Sequence, residues 1–150
     1  MTKKERCEIA IRAHEEGLNC AQCVLLAYQD MTGMTREQCW GIGTGFGGGV
    51  RYGGICGAIS GAVMVLGMLY PHTPENGAAG KKASTVRTRE FISRFQQRFV
   101  HTECRELLQD QDLNATDLTR ELGVTGHCGI LIVSAVDMLF DYLLEELERE

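Results

Sequence analysis

The cysteines are the residues of this chain best suited to chemistry, and there are seven of them. A deprotonated cysteine attacks disulfides and binds soft metal ions, whereas a protonated, buried cysteine is only a small apolar side chain. Four of the cysteines fall in the first turn of a segment with a helical pattern, where unpaired backbone N–H groups and the helix dipole favour the thiolate. We therefore predict that the functional set is Cys20, Cys56, Cys104 and Cys128.

A metal or iron–sulfur site is the chemistry that we favour for these four thiols. Four cysteine ligands satisfy an iron–sulfur cluster or a tetrahedral zinc ion. The four are too far apart along the chain for a ferredoxin or zinc-ribbon motif, so the fold would have to bring them together. Backbone N–H groups and a nearby cation would help to hold an anionic cluster. The candidates for this supporting role lie around Cys56: Arg51, Gly53, Gly54 and Gly57.

Thiol–disulfide exchange is the alternative. Cys20 and Cys23 form a C-x-x-C pair at a predicted helix start, an arrangement that lowers the pKa of the attacking thiol. The pair lacks the βαβ context of the usual redox motif, so Cys20 with Cys56 is a second candidate pair if their helices meet. Either pair would make the protein an oxidoreductase or a redox sensor that needs no metal cofactor.

A third hypothesis is a non-catalytic helical interaction module with incidental thiols. The basic stretch Lys81–Arg98 would then be its binding surface, although such a stretch on a long helix is more often a solvated face. Among the histidines, only His127, beside Cys128, is a candidate ligand. The other three lie in polar settings and are expected to be exposed: His14, His72 and His101.

Charge and composition limit the classes of binding partner and the cellular compartment that we expect. The net charge of −5 gives no basic field that would attract nucleic acid. Because the predicted chemistry is redox chemistry, we expect an unidentified redox protein as partner, and a homodimer is left open. The start, MTKKERCEIA, lacks the apolar run of a secretory signal, so a reducing cytoplasm is expected. The uncharged stretch Tyr52–Pro71 has a convincingly apolar part of only about fifteen residues, which favours a core helix over a membrane span.

The apolar pattern predicts an all-α fold, a compact single-domain helical bundle over residues 1–150, with no segment of sustained period-two alternation. Start and stop signals place the helices at about 3–16, 20–31, 35–40, 55–70, 73–100, 103–109, 117–122 and from 127 to the acidic end.

A glycine-rich stretch from Gly41 to Gly67 contains eleven of the eighteen glycines. Up to Gly54 it is too rich in glycine to hold a helix or a strand, so a loop is predicted. From Ile55 the chain is apolar for about four helical turns, and Gly57 with the glycine four residues later matches a small-xxx-small packing pattern. The sequence therefore predicts a glycine-rich loop that carries Cys56 to the start of a buried central helix.

These residues resemble a known family. Cys20 lies in an Asn-Cys-Ala-Gln context, Cys-Gly-Ala-Ile-Ser-Gly follows the glycine-rich loop at 56–61, and Cys104 and Cys128 follow in order. The pattern resembles that of redox-active proteins named for a C…GCAxxG…C…C arrangement, over roughly residues 5 to 145. The resemblance implies that the same four cysteines act in redox chemistry. The chain departs from the family pattern in its extra thiol, Cys23, and in the Gly-Ile that follows Cys128.

Overall fold

The computed structural model describes residues 1–150 and contains nine α-helices and no β-sheet, which confirms the predicted all-α fold. Its one extended pairing is an isolated antiparallel bridge between Ile55 and Glu103. The helices are α1 (Lys3–Glu15), α2 (Cys20–Ala27), α3 (Gln29–Thr32), α4 (Arg36–Gly43), α5 (Gly57–Leu69), α6 (Gly77–Phe99), α7 (Cys104–Gln109), α8 (Asp117–Glu121) and α9 (His127–Arg149).

Helices α2, α5 and α9 form the centre of the bundle. α1 packs on α2 and α9, and α6 covers α5 and α9. The side chains between these helices form one continuous apolar core, in which each large side chain contributes about 1.5–3 kcal/mol through its removal from water. The largest fully buried members are Tyr28, Tyr142, Phe91, Phe95, Phe99, Leu25 and Ile59.

The close approach of α2 and α5 depends on two glycines of α5. A β-carbon at Gly61 would lie 2.9 Å from Cβ of Val24 and 3.0 Å from the carbonyl oxygen of Ala21. A β-carbon at Gly57 would lie 3.0 Å from Cβ of Cys20. Because carbon atoms normally pack at about 3.5–4.0 Å, only glycine allows this approach. The small-xxx-small pattern therefore acts inside the bundle, where it sets the starts of α2 and α5 side by side.

The glycine-rich loop is shorter than predicted, because α4 continues to Gly43. A β-carbon at Gly43 would lie 2.8 Å from the side chain of Gln22 and 3.1 Å from its backbone nitrogen. Tertiary packing therefore overrides the low helix propensity of glycine, and the prediction of a loop throughout this stretch was wrong. What remains of the loop contains a 3₁₀ turn at Thr44–Phe46 and a left-handed stretch over residues 48–51.

Two other helix boundaries differ from the prediction. The second predicted helix is interrupted at Tyr28, whose hydroxyl donates to the carbonyl oxygen of Val136 at 2.6 Å and anchors the chain to α9. Helix α6 begins at Gly77 because Thr73 and Asn76 close a separate turn. In that turn each backbone N–H donates to the other residue's side-chain oxygen, at 2.9 and 3.2 Å.

Helix α9 is long and apolar enough to cross a membrane by length and composition. Within the protein, however, 61% of its most apolar window is buried, and the core helix of a globular protein has the same length and composition. Helix α5, which occupies the uncharged stretch noted in the sequence, has only 13 residues. Both helices therefore behave as core helices of this bundle.

Candidate functional site

The four predicted cysteines all lie at the N-terminal end of a helix, as the sequence predicts. Cys20 and Cys104 are the first residues of α2 and α7, Cys56 is the N-cap residue of α5, and Cys128 is the second residue of α9. Each of the four thiols interacts electrostatically with at least two of the others. The fold therefore brings together cysteines that are distant in sequence.

The start of α2 is held by a capping box that positions Cys20. The side-chain oxygen of Asn19 accepts the N–H of Gln22 at 3.0 Å, and the side-chain oxygen of Gln22 accepts the N–H of Asn19 at 2.9 Å. Asn19 Nδ2 also donates to the carbonyl oxygen of Gly43 at 2.9 Å, which ties this turn to the end of α4. Cys20 is thus fixed in a rigid first turn, against Gly57 of α5.

The isolated bridge brings Cys56 and Cys104 together. The N–H of Cys56 donates to the carbonyl oxygen of Thr102 at 2.8 Å, and the N–H of Cys104 donates to the carbonyl oxygen of Gly54 at 2.7 Å. The two cysteines therefore sit diagonally across a short antiparallel pairing. This pairing joins segments far apart in the chain, and no local sequence pattern signals it.

Cys20 and Cys128 are the most strongly coupled thiols of the site, because each is the largest cause of the shift in the other's pKa. The neighbouring Cys20 thiol, acting as a hydrogen-bond donor, lowers the pKa of Cys128 to about 6, and Cys128, together with burial, raises the pKa of Cys20 far above its usual range. A free cysteine has a pKa of about 8.5, so Cys128 is the thiol of this chain that is most ready to act as a nucleophile.

Two imidazoles flank Cys128 and also favour its thiolate form. His127 precedes it in α9 and donates Nε2–H to the carbonyl oxygen of Asp110 at 2.5 Å. His14, on α1, lies 3.7 Å from the position that a β-carbon at Gly129 would occupy. His14 is exposed, as expected, but its proximity to the site was missed, because it depends on how α1 packs on α9.

Burial outweighs the effect of the helix end at the other two cysteines. Burial raises the pKa of Cys56 to about 11, although the nearby backbone N–H groups of Ala58 and Ile59 act in the opposite direction. Cys104 is half-buried, and burial followed by the negative charge of Cys128 raises its pKa as well. Among the four thiols only Cys128 has a lowered pKa, and its causes are Cys20 and the two imidazoles rather than the helix end.

Cys23, the extra thiol, belongs to the same cluster. It lies one turn after Cys20 in α2, is fully buried, and donates its S–H to the carbonyl oxygen of Leu18 at 3.7 Å. Burial, followed by the charge of Cys128, raises the pKa of Cys23 to about 12. The cluster therefore contains five sulfur atoms, three on half-buried residues and two on buried ones. The two remaining cysteines are buried outside it: Cys7 on α1 and Cys39 on α4.

Some loop residues were predicted to support a cofactor. In the structure they form hydrogen bonds with other parts of the protein. Arg51 Nη2 donates to the carbonyl oxygen of Thr44 at 3.0 Å, and Arg105 Nε donates to the carbonyl oxygen of Gly53 at 3.3 Å. Gly54 lies in the bridge described above. The Arg51 contact lies within the loop, whereas Gly53 and Gly54 bond to α7. A role of these residues in cofactor binding stays a prediction.

The donor type of the cluster suits zinc or iron, since thiolates are ligands that both metals accept. No group of three or more Cys, His, Asp or Glu side chains is placed so that it could hold a metal ion in this arrangement, and metal binding by the four cysteines stays a prediction.

None of the five principal cavities is lined by a cysteine. One cavity, of about 170 Å³, lies between α1 and α9 and is lined by His14 and Gly129. Cys20, Cys104 and Cys128 are nevertheless half-buried, so part of each residue reaches the surface. The arrangement thus offers a sulfur with a lowered pKa and a second sulfur beside it, both on residues that are partly exposed.

Comparison with known proteins identifies the family of this chain. No curated protein and no solved structure matches the chain. One family model does match, over residues 18–142, a range that includes all five clustered cysteines and leaves out α1 with His14. The chain therefore belongs to the family described as putative redox-active protein (C_GCAxxG_C_C).

Proposed function

We propose that this protein carries out thiol–disulfide exchange and that its reactive centre is the Cys20–Cys128 pair. Membership of a redox-active family supports a redox role, and the coupling of Cys20 and Cys128, which lie at the adjoining starts of α2 and α9, carries the specific assignment. Neighbouring thiols need only local movement to form a disulfide. This pair differs from the two suggested by the sequence, Cys20 with Cys23 and Cys20 with Cys56.

The exchange proceeds in two steps. The Cys128 thiolate attacks one sulfur of a substrate disulfide, R–S–S–R′, so that a mixed disulfide forms with R–S and R′–S⁻ leaves. The sulfur of Cys20 then attacks the sulfur of Cys128, the Cys20–Cys128 disulfide forms, and R–S leaves with the proton of Cys20. The protein loses two electrons, and the substrate gains two electrons and is released as one thiol and one thiolate.

The surroundings of the pair suit these roles. His14, His127 and the N-terminus of α9 stabilise negative charge on Cys128, which is the attacking sulfur. Cys20 keeps its proton until the mixed disulfide forms, because its charged form is disfavoured by burial and by the neighbouring thiolate. Since no principal cavity contains a cysteine, we propose a partner protein with an exposed disulfide as the substrate, in a cytoplasm that keeps the thiols reduced.

Disulfide mapping tests this assignment. Reduced protein is treated without oxygen with one equivalent of oxidised glutathione, quenched with acid at short times, alkylated and digested. We expect the first intramolecular disulfide to join Cys20 and Cys128 and to be abolished by Cys128→Ser. Cys39→Ser, which removes a buried thiol outside the cluster, serves as the control and should leave the reaction unchanged. A first disulfide that excludes Cys128 would contradict the assignment.

Binding of an iron–sulfur cluster, or of zinc, by all four predicted cysteines is our second proposal, with electron transfer as the role of the iron form. It is supported by the convergence of the four thiols, whose charges affect one another. Metal analysis and a visible absorption spectrum of protein purified without oxygen test it. Stoichiometric metal that is lost on Cys56→Ser supports the proposal, whereas metal-free protein that forms the Cys20–Cys128 disulfide refutes it. Absence of both metal and disulfide would leave the helical interaction module as the remaining hypothesis.

A further inference from the structure

We propose that Cys23 is a third redox-active thiol of this site and that it takes over the disulfide from Cys128 by internal exchange. This inference rests on the proposed thiol–disulfide function. Cys23 is not one of the four cysteines in the family pattern, and the two-step reaction above makes no use of it. Its position beside Cys20 and Cys128 suits it to a role in the same exchange.

Cys23 lies within reach of a disulfide with Cys20. The two residues are three apart in α2, so their α-carbons are about 5 Å apart in a regular helix. Disulfides join residues whose α-carbons are roughly 4.4–6.8 Å apart. Only the side chains and the first turn of α2 therefore have to adjust. Because Cys23 is fully buried, the resulting disulfide would be shielded on that side by the core.

Cys23 also differs from the other cysteines outside the family pattern. It interacts electrostatically with both Cys20 and Cys128. Cys7 and Cys39 are equally buried, yet no other cysteine affects either of them. Burial alone therefore does not account for the placement of Cys23 beside both members of the reactive pair.

The internal exchange needs no external oxidant or reductant, because one disulfide bond forms as another breaks. Starting from the Cys20–Cys128 disulfide, the sulfur of Cys23 attacks the sulfur of Cys20. A bond forms between Cys23 and Cys20, the bond between Cys20 and Cys128 breaks, and Cys128 leaves as a thiolate. The proton of Cys23 passes to solvent, and the number of disulfides is unchanged. The imidazoles of His14 and His127 and the N-terminus of α9 stabilise the departing thiolate, which favours this direction.

The consequence is a protein that stores the two oxidising equivalents of one disulfide in α2 and regains its nucleophile. With the disulfide moved to Cys20 and Cys23, the Cys128 thiolate is free to form a mixed disulfide with a second substrate disulfide. A site with only the Cys20–Cys128 pair would instead stop after one turnover until it is reduced.

A time course with peptide mapping tests the exchange. Cys20 and Cys23 lie in one tryptic peptide, residues 13–36, and Cys128 lies in another, residues 121–149. After one equivalent of oxidised glutathione, we expect the cross-link between the two peptides to appear first and then to decline. Peptide 13–36 lighter by two hydrogen atoms should replace it, while Cys128 becomes open to alkylation again.

Variants identify the thiol responsible. In Cys23→Ala the cross-link should persist and the late alkylation of Cys128 should be lost, whereas Cys39→Ala should behave as the wild type. Circular dichroism checks that each variant folds, and Cys23→Ser offers a second replacement. The wild-type time course needs no variant, so it decides the matter even if both replacements at position 23 unfold.

The outcomes separate this inference from the function on which it rests. A Cys20–Cys128 cross-link that persists in the wild type overturns the role of Cys23 and leaves the proposed exchange function intact. A Cys20–Cys23 disulfide that forms without a preceding cross-link overturns the takeover from Cys128. Absence of any disulfide at Cys128 in both the wild type and Cys23→Ala overturns the proposed function itself.

Discussion

The contact between α2 and α5 leads to a prediction in which two identical substitutions in one helix have opposite effects. Gly61→Ala places a β-carbon 2.9 Å from Cβ of Val24 and 3.0 and 3.2 Å from the carbonyl oxygen and Cα of Ala21. Two of these neighbours are main-chain atoms, which cannot rotate away. Gly67→Ala, less than two turns further along α5, places its β-carbon in open space, with no atom within 4 Å.

The magnitudes follow from two competing effects. Replacing glycine by alanine inside a helix stabilises the protein by roughly 0.5–1 kcal/mol, because glycine loses more backbone freedom on folding. Gly67→Ala should show this gain alone. At Gly61 the crowding of a packed interface adds a cost of about 1–3 kcal/mol. From the middle of each range, we therefore expect Gly61→Ala to lower the free energy of unfolding by roughly 1 kcal/mol.

The stability of both variants is measured by thermal and urea unfolding of the fully reduced protein, with circular dichroism as the signal. For a chain of this length 1 kcal/mol corresponds to roughly 2–4 °C in Tm. The Tm should thus rise by about 1–4 °C in Gly67→Ala and fall by about 2–4 °C in Gly61→Ala. If the Tm of both variants rises by the same amount, α2 and α5 do not meet at Gly61 and the account of the glycine pattern is wrong.

Further predictions concern the thiols and the loop. Because the thiolate is the reactive form, alkylation of Cys128 should speed up as pH rises through about 6 and level off above it. Cys20→Ala removes the donor and should move this midpoint upwards, whereas Cys20→Ser keeps a donor and should move it less. His14→Gln should also raise the midpoint, but by less than Cys20→Ala, because the hydrogen bond is the larger cause; an unchanged midpoint would exclude His14 from the site. Val50→Gly relieves a left-handed conformation (φ +56°) that costs a non-glycine residue about 1–2 kcal/mol, so its Tm should rise rather than fall.

The helices and their first turns could be predicted because the signals are local. The capping box at Asn19 and Gln22 and the apolar runs of α5 and α9 each lie within a few residues of the structure that they determine. The placement of four cysteines at helix starts follows from the same signals. The extent of α4 could not be read in this way, because Gly43 is helical only through its packing on Gln22.

The pairing inside the cluster could not be predicted, because it depends on contacts between distant segments. Cys20 meets Cys128 only through the arrangement of α2 and α9, and Cys56 meets Cys104 through a bridge that joins the glycine-rich loop to the start of α7. His14 enters the site from α1 by the same kind of packing. The helix-end argument also failed at Cys56, because it took account of the dipole and not of the depth of burial.

Gly57 links the glycine pattern to the chemistry of the thiols. A β-carbon there would lie 3.0 Å from Cβ of Cys20, 3.0 Å from the carbonyl oxygen of Phe46 and 3.2 Å from the backbone nitrogen of Ala21. Gly57→Ala must therefore push the first turn of α2 away from α5 by a few tenths of an ångström, at the residue that donates to the Cys128 thiolate.

We expect Gly57→Ala to raise the alkylation midpoint of Cys128 from about 6 towards that of a free cysteine, because the hydrogen bond from Cys20 weakens. Gly61→Ala crowds the same two helices one turn further from the pair and should shift this midpoint less, even though it also destabilises the fold. Comparing the two variants separates a general loss of stability from a specific displacement of Cys20. Equal shifts in both would mean that Gly57 acts only through the packing of the bundle and does not position the reactive pair.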